Sequence, residues 1–334
     1  MKKILIATTA LVATAGIASA EVAISGAAKM GLQYNSEGAT KTQVLSSATL
    51  VVDMSGETDG GLTFGANMNI IIADNGSVAN DDTTVYISGA FGKLSMGAVA
   101  EADEVAGLSD IGWDGLDVDD VAEAFVGDEL GDIDYFEELS IGGHNVNYTY
   151  SSGALTFSVS AAMPTGHGAD YQDDYAVGVK YTFGDAYVGL GYGDHSFSRT
   201  YSDSDVVKES AKVTSLFAGG TFGAVKVAAM YSDLSYKFSY YDDGEDTTSN
   251  YSSSGKAYGI NVAYKMDALT LSMGAGQAKL DGAKQTSFGV GAAYDLGGGA
   301  TLKGGIASIK DQFGDENNYA EKETRADFGI SFSF

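Results

Sequence analysis

Residues 21–34 read EVAISGAAKMGLQY, and apolar side chains occupy alternate positions along most of this stretch. The alternating apolar set is Val22, Ile24, Ala28, Met30, Leu32 and Tyr34. Because successive side chains of a β-strand point to opposite faces, this spacing predicts a strand with one apolar and one mixed face. Its length exceeds the average of about 5 to 6 residues in soluble proteins and suffices for the roughly 9 to 11 residues of a transmembrane strand. We therefore predict a strand that crosses a membrane.

The same alternation recurs to the end of the chain and predicts sixteen strands. In the first half, the predicted strands lie near residues 21–35, 42–55, 61–73, 83–90, 92–99, 140–151, 153–164 and 173–184. In the second half, they lie near residues 185–196, 206–221, 223–240, 252–266, 268–280, 284–296, 299–311 and 322–334. Because the chain has one Pro and no linker-like tract, we predict one all-β unit over residues 21–334 rather than two domains.

Two kinds of connection alternate between the predicted strands. Long polar connections include residues 239–250 and 310–319. Short turns that contain Gly occur at residues 89–92, 151–153, 183–185, 222–224 and 296–299. An antiparallel meander with short turns at one end and long loops at the other is typical of an outer-membrane barrel.

The predicted strands can cross a bilayer only as a closed structure. No run of 18 apolar residues follows residue 20, which excludes a membrane-spanning helix. In hydrocarbon every backbone N–H and C=O needs a partner within the protein, so the predicted antiparallel sheet must close into a barrel. Sixteen strands enclose an aqueous lumen, whereas about eight are filled by side chains. A soluble sandwich with Tyr at its rim is the alternative, but it would not explain outward faces that stay apolar from strand to strand.

Residues 1–20 have the features of a secretory signal peptide. Lys2 and Lys3 form a basic start, residues 4–15 are mostly apolar, and Ala18-Ser19-Ala20 is a small-residue cleavage site. The apolar segment is shorter than the roughly 20 residues of a transmembrane helix. We therefore predict export and a mature chain that begins at Glu21.

The chain is strongly acidic, with 45 Asp and Glu against 19 Lys and Arg. Nucleic acids and anionic membrane surfaces attract proteins with a basic face, so the overall charge argues against both as partners. Cations are the partners that this charge favours. The chain has no Cys, which excludes a disulfide framework and thiolate chemistry.

Residues 101–138 contain 15 acidic side chains and no Lys, Arg or His. Such a block repels itself, yet it interrupts the series of strands and carries apolar residues such as Trp113, which we interpret as a packing anchor. We therefore interpret residues 100–139 as an ordered acidic loop confined by the barrel. The predicted constriction residues are Asp110, Asp114, Asp117, Asp119, Asp120 and Glu123.

Two other roles are open to these carboxylates. Some could cap and solvate a short helix, with Asp117 as its cap and Asp119 and Asp120 at the positive end of its dipole. The apolar stripe of this helix would be Val118, Val121, Ala122 and Phe125. Asp117, Asp119 and Asp120 could also bind calcium, although they lack the spacing and the Gly of an EF-hand loop. The predicted function requires no cofactor.

The lumen face follows from the outward apolar positions by alternation. The predicted pore-wall residues are Lys29, Ser47, Thr49, Lys93, Lys180, Lys212 and Arg325, with Asp53, Asp295, Lys303 and Asp327 on the same face. These few wall cations oppose the 15 loop carboxylates. The pore should therefore have a negative potential and concentrate cations, as acidic rings do in cation channels.

Catalysis has little support in the sequence. His144, His167 and His195 lie in or beside polar connections, form no metal-ligand pair at helical spacing and match no nucleophile motif. We predict that each is a solvated loop residue. Two alternatives to a diffusion channel stay open, namely a barrel enzyme of the phospholipase or protease type and a structural or adhesive barrel.

Several short segments occur in a fixed order along the chain. They are EVAISG (21–26), MSG (54–56), GLTFGA (61–66), VYISGAFGK (85–93), YTYSSGA (148–154), GAAYDLGGG (291–299) and the terminal Phe334. Together they resemble the Gram-negative general porins, and most closely the alphaproteobacterial porins of the Rhodobacter type. The resemblance covers the chain from residue 21 to its end.

The resemblance implies a 16-stranded barrel that assembles as a homotrimer in the outer membrane, among its lipids and lipopolysaccharide. It implies that the third long loop folds inward and narrows a pore for small hydrophilic solutes and ions. It also implies that Phe334, with Phe332 and Phe328, is an outer-membrane assembly signal.

The sequence departs from this family in one respect. Such porins place an Arg cluster on the wall that faces the acidic loop, whereas the second strand here has Ser47 and Thr49. Arg199 and Arg325 are the only arginines. The sequence therefore does not predict a strong transverse field across the constriction.

Overall fold

The computed structural model describes residues 20–73, 78–127, 143–163, 171–201, 204–311 and 321–334. Within these ranges sixteen strands pair antiparallel with their neighbours, and β1 pairs with β16 to close a barrel. The first eight strands are β1 (Glu21–Asn35), β2 (Thr42–Glu57), β3 (Thr63–Ala73), β4 (Val78–Gly89), β5 (Gly92–Gly97), β6 (Val146–Ser152), β7 (Leu155–Ala161) and β8 (Tyr171–Phe183). The last eight are β9 (Ala186–Thr200), β10 (Val206–Phe222), β11 (Val225–Asp242), β12 (Thr247–Met266), β13 (Leu269–Leu280), β14 (Ala283–Gly297), β15 (Ala300–Asp311) and β16 (Glu321–Ser333). The predicted sixteen-stranded antiparallel barrel is confirmed.

The strand ends differ from the predicted ones by a few residues. The largest differences are at β6, which begins at Val146 rather than at residue 140, and at β4 and β12, which begin at Val78 and Thr247 rather than at residues 83 and 252. Residues 247–252 are TTSNYS, which is polar on both faces, so the period of two is lost there. The backbone ladder nevertheless continues, because Asp242 of β11 pairs with Thr247.

The barrel closes through the two ends of the chain that the structure describes. Met30 of β1 pairs with Ile330 of β16. The N–H of Gly26 donates to the carbonyl of Phe334 (3.3 Å), and the N–H of Phe334 donates to the carbonyl of Gly26 (2.8 Å). Among the described strands, closure leaves no strand without a neighbour on each side, and an unpaired edge is what hydrocarbon would penalise.

The outward face of the barrel is apolar along many strands. Ile24, Val44 and Phe222 are among the exposed side chains on this face. The short turns also behave as the sequence predicts, since Gly153 and Gly184 both have φ of 59°, which is the left-handed conformation that tight hairpins favour.

The third long loop lies inside the barrel, and the structure describes its residues 98–127 and 143–145. Ile111 and Phe125 of this loop are fully buried, and Trp113 is nearly so. The loop contains a single helical turn, α1 (Asp120–Glu123), which contacts β11, β12, β13 and β14. The main hydrophobic core of the described chain therefore lies between the loop and the inner wall.

The helix differs from the prediction at its first turn. It begins after Asp119, and no side chain caps it. Asp117 does not act as the cap, because its φ of 54° is left-handed and its carboxylate is directed to Arg325. The predicted apolar stripe is confirmed, since Val118, Val121, Ala122 and Phe125 are all buried.

In the ranges described, no helix has both the length and the apolar character to cross a bilayer. The predicted signal peptide lies outside these ranges except for Ala20, so it stays a prediction.

Candidate functional site

The acidic loop lies on one side of the lumen because the wall beneath it is apolar. Phe125 packs where Gly255 of β12 has no side chain, and a Cβ at that glycine would lie 2.7 Å from the ring. The indole of Trp113 likewise lies over Gly31 and Gly329, which confirms it as a packing anchor. The inner-wall residues in the same core as Phe125 are Ala211, Val213, Phe217, Met230, Leu234, Tyr236, Ala257, Ala278, Leu280 and Ile309.

Two predicted constriction residues form ion pairs with predicted wall cations. The carboxylate of Asp114 accepts hydrogen bonds from the ammonium of Lys29 and the amide of Gln33. Asp117 pairs with the guanidinium of Arg325, which also lies 2.9 Å from Glu323. These contacts join the loop to β1 and β16, and they neutralise Lys29 and Arg325.

Two more predicted constriction residues, Asp119 and Glu123, are buried or half-buried. Asp119 is buried, and this burial raises its pKa to about 8, with the charge of Asp110 raising it further. Burial also raises the pKa of Glu123 to about 7, in opposition to the hydrogen bond that Glu123 accepts from the N–H of Leu108 (2.5 Å). Near pH 7, Asp119 is therefore mostly protonated and Glu123 is about half protonated.

The remaining predicted carboxylates are more accessible. Asp110 is exposed and Asp120 is half-buried. Glu104, which the sequence did not single out, is also exposed on the same loop. The donor atoms of Asp117, Asp119 and Asp120, the predicted calcium ligands, do not converge. Within the described chain, the one group of three side chains whose donor atoms converge is Glu101, His144 and His195.

The inner faces of β5 and β8 carry two lysines that lie on tyrosine rings. The ammonium of Lys93 is 4.2 Å from the ring centroid of Tyr86, and that of Lys180 is 4.4 Å from the ring centroid of Tyr187. Lys93, Lys180, Glu101 and Glu104 all line one cavity of about 380 Å³, together with Ser and Thr side chains of the wall. Lysines of the wall and carboxylates of the loop therefore line the same cavity. The sequence missed the two tyrosines because only the register places them beside the lysines.

The other predicted wall positions lie on the inner face. Ser47 and Thr49 pair across the sheet with Lys29 and Ala27 of β1, and both are half-buried. Asp53 accepts a hydrogen bond from the amide of Asn67 (2.5 Å).

The prediction for Lys212 is wrong. Along β10 the buried residues are odd-numbered, including Val213 and Phe217, and these pack against the loop. Lys212 lies on the outward face, where its ammonium is 2.7 Å from Asp194 of β9. The alternation rule assumes that apolar residues face lipid. It fails here because the loop covers the inner wall and makes that face apolar as well.

The prediction of solvated histidines is wrong for two of the three. His144 and His195 are buried, with 2% and 1% of their surface exposed. A ring nitrogen of each lies 2.7 Å from Oδ1 of Asp174, and Glu101 lies beside them. One feature of the sequence did indicate burial of His195. Side-chain alternation along two adjacent strands places both Asp174 and His195 on the inner face. His167 lies outside the described residues.

Burial also affects Glu101, at the start of the loop. It raises the pKa of Glu101 to about 7, and the nearby charges of His144 and His195 act in the opposite direction.

Comparison with known proteins decides the family. The family model described as "Gram-negative porin" matches residues 7–314 of this chain.

The chain belongs to the Gram-negative porins.

Relatives of this porin agree with the assignment. The chain is 33% identical over 326 residues to a porin from Rhodobacter capsulatus, which covers 94% of this chain and 100% of that protein. A porin structure refined at 1.8 Å matches with a TM-score of 0.69 and 29% identity, over 94% of this chain and 100% of that one. A trimer form of OmpT from Vibrio cholerae matches with a TM-score of 0.70 and 15% identity, over 95% and 100% of the two chains.

Family and fold together establish this porin as a channel of the Gram-negative outer membrane, and not as an enzyme. The predicted resemblance to Rhodobacter-type porins is confirmed.

The C-terminal aromatic residues of this porin include two that are accessible on the outside of the barrel, as binding by an assembly factor would require. Phe328 and Phe334 are exposed on the outside of the barrel, and the rings of Phe332 and Phe334 stack with centroids 6.4 Å apart. Their role as a signal stays a prediction.

Proposed function

We propose that this porin conducts small hydrophilic solutes and ions by passive diffusion, with a mild preference for cations. The observation that carries the preference is the pairing of Lys29 and Arg325 with Asp114 and Asp117. Because these wall cations are neutralised, they contribute little positive potential to the lumen. Asp110 and Glu104 are exposed on the same loop and attract cations.

The preference is mild for two reasons. Lys93 and Lys180 line the same cavity as Glu104 and oppose the potential of the loop carboxylates. Near pH 7, Asp119 carries little charge and Glu123 about half of its charge, because burial raises the pKa of each. Selectivity therefore depends on Asp110, Glu104 and Asp120 rather than on all the predicted constriction residues.

The test is the reversal potential of a planar bilayer under a KCl gradient. We expect the sign of a cation-selective channel for the unmutated protein. The double variant Asp110→Asn with Asp120→Asn should show a reversal potential closer to zero. A matched control is Glu37→Gln, which removes a carboxylate from the exposed connection between β1 and β2 and should change nothing. Anion selectivity of the unmutated protein, or an equal effect of the control, would refute the proposal.

The homotrimer is part of the proposal. It is supported by the trimer form of the OmpT relative and by the uncharged outward face of β1, β2 and β3. The large apolar residues on this face are Val22, Ile24, Met30, Leu32, Val44, Leu50, Phe64 and Ile72. The mass of the detergent-solubilised protein by light scattering tests it, and a mass of one chain would contradict the trimer.

Phosphorylated lipids of the outer leaflet are the proposed partners of another outward region. Eight lysines occupy outward positions of β10 to β16. They are Lys208, Lys212, Lys237, Lys256, Lys279, Lys284, Lys310 and Lys322. Asp194 and Asp233 neutralise part of this charge through Lys212 and Lys256. Within an acidic chain this strip is a local basic face, which suits the phosphates of lipopolysaccharide.

Lipid that copurifies with the protein tests the strip. Changing Lys208, Lys237, Lys279 and Lys310 together to Gln should reduce the bound phosphorylated lipid measured by native mass spectrometry. The matched control changes Lys93 and Lys180 to Gln inside the lumen and should leave lipid binding unchanged. Equal lipid binding by the surface variant and the unmutated protein would contradict the assignment.

A further inference from the structure

Two histidines and a carboxylate meet in the protein interior at the base of the acidic loop. Glu101 lies near the start of the loop, His144 lies near its end, just before β6, and His195 lies on β9 of the wall. One donor atom from each residue lies within 4.8 Å of the other two, and all three residues are buried. The cluster therefore joins both ends of the loop to the barrel wall.

Two of these side chains have atoms without partners. Neither carboxylate oxygen of Glu101 has a hydrogen-bond partner among the residues that the structure describes, and the same holds for Nε2 of His195. Glu101 is 5% exposed and His195 is 1% exposed, so water does not reach them freely. Buried polar atoms normally have a hydrogen-bond partner. The unpaired atoms of Glu101 and His195 therefore indicate a ligand that binds to their lone pairs.

The neighbouring side chains orient the imidazole rings. Nδ1 of His195 lies 2.7 Å from Oδ1 of Asp174, so it can donate its proton there and leave Nε2 free to ligate. Nδ1 of His144 lies 2.5 Å from Oγ of Ser160, and Nε2 of His144 lies 3.8 Å from Oε2 of Glu101. Histidines that bind metals have the same arrangement, with the second ring nitrogen held by a carboxylate or another oxygen.

The backbone leaves room beside the ring of His195. A Cβ at Gly193 would lie 2.5 Å from Nε2 of His195 and 3.0 Å from Oδ2 of Asp103. Any larger residue at this position would therefore cover the free nitrogen.

We propose that Glu101, His144 and His195 bind one divalent transition-metal cation, for which Zn²⁺ is the best match. Two imidazoles and one carboxylate are a donor set that Zn²⁺ uses, whereas Ca²⁺ and Mg²⁺ prefer oxygen alone. Zinc ligand distances of about 2.0–2.1 Å place tetrahedral donors about 3.3–3.4 Å apart. The separation of 3.8 Å between Glu101 and His144 closes to that value by a small rotation of the Glu101 side chain.

The cation has a structural role in this proposal. Nε2 of His144 exchanges its hydrogen bond to Oδ1 of Asp174 for the cation, with any proton on that nitrogen released to solvent, and the cation satisfies the buried carboxylate of Glu101. The loop is then fastened at its two ends, while its middle part remains available to set selectivity. The inference is independent of the proposed cation preference, because no residue of the cluster is among those assigned to selectivity.

Titration of the metal-free, detergent-purified full-length protein with Zn²⁺ tests the site. Calorimetry should give one Zn²⁺ per chain, and Co²⁺ should give the intense visible absorption of a four-coordinate site. The double variant His144→Gln with His195→Gln should weaken binding by more than roughly 100-fold, the upper range for changes around a metal site alone. Gly193→Ala keeps all three ligands and should also weaken binding.

A matched control and two outcomes complete the test. Glu209→Gln changes another buried carboxylate, on β10, and should bind Zn²⁺ like the unmutated protein. Absence of binding by the unmutated protein, or equal binding by the double variant, would overturn the site. If the double variant does not fold into a barrel, X-ray absorption of the zinc-loaded unmutated protein decides. Two imidazole ligands in its spectrum support the site, and none overturns it.

Discussion

The imidazole rings of His144 and His195 have centroids 6.0 Å apart, and both rings bond to the same carboxylate oxygen, Oδ1 of Asp174. His144 belongs to the end of the acidic loop, and His195 belongs to β9. Asp174 on β8 therefore couples the position of the loop to the wall. This coupling depends on a buried charge, so it is sensitive to the charge of one residue.

Asp174→Asn tests this coupling. The variant keeps the shape of the side chain but removes the charge, and a hydrogen bond to a charged group contributes about 1.5–3 kcal/mol. We expect faster amide hydrogen exchange in residues 101–126, while the strands exchange as before. Asp53→Asn, on the wall beside Asn67, is the control. Unchanged exchange in the loop would show that Asp174 does not hold it.

The pH dependence of loop packing follows from Glu123 and Asp119. Burial raises their pKa values to about 7 and about 8, so the folded loop binds protons more tightly than the unfolded loop does. Their contribution to stability is complete below pH of about 4 and is lost as the pH rises through 7 to 8. The protection of the loop amides, taken as the intrinsic exchange rate at each pH divided by the measured rate, should therefore be higher at pH 5.5 than at pH 8.5. Glu123→Gln should reduce this difference, and Glu37→Gln should not.

Phe125→Ala tests the apolar contact between the loop and the wall. The ring is fully buried against Gly255, and such a truncation typically costs about 3–5 kcal/mol. We expect a folded barrel, since the ladder does not depend on this ring, but larger current fluctuations in single-channel recordings. Phe222→Ala, an exposed ring on the outside, is the control. Identical recordings from both variants would contradict the assigned role.

The lysines of the lumen and of the outer face should affect selectivity differently. Lys93→Met with Lys180→Met removes two positive charges that line the pore cavity, so cation preference should increase. Lys212→Met removes a charge that faces outward, beside Asp194, and should leave the reversal potential unchanged. A comparable shift from Lys212→Met would place its charge in the lumen instead.

Much of the fold could be read from side-chain alternation, because lipid and water impose opposite demands on the two faces of each strand. Residues 21–34 show this most clearly, and β1 has the predicted bounds. The rule fails at β10, where Val213 and Phe217 face inward under the loop and Lys212 faces outward. There the inner face contacts protein rather than water, so its composition follows a different rule.

The sequence alone determined the barrel, the position of the acidic loop between β5 and β6, and its excess of carboxylates, because these depend on local pattern and composition. The tertiary structure decided which carboxylates pair with Lys29 and Arg325, which ones are buried, and where His144 and His195 meet Glu101. These partners are separated by up to about 200 residues along the chain, and strand register together with the path of the loop brings them into contact. No local pattern records such contacts, since the same side chains could face water, lipid or protein with equal spacing.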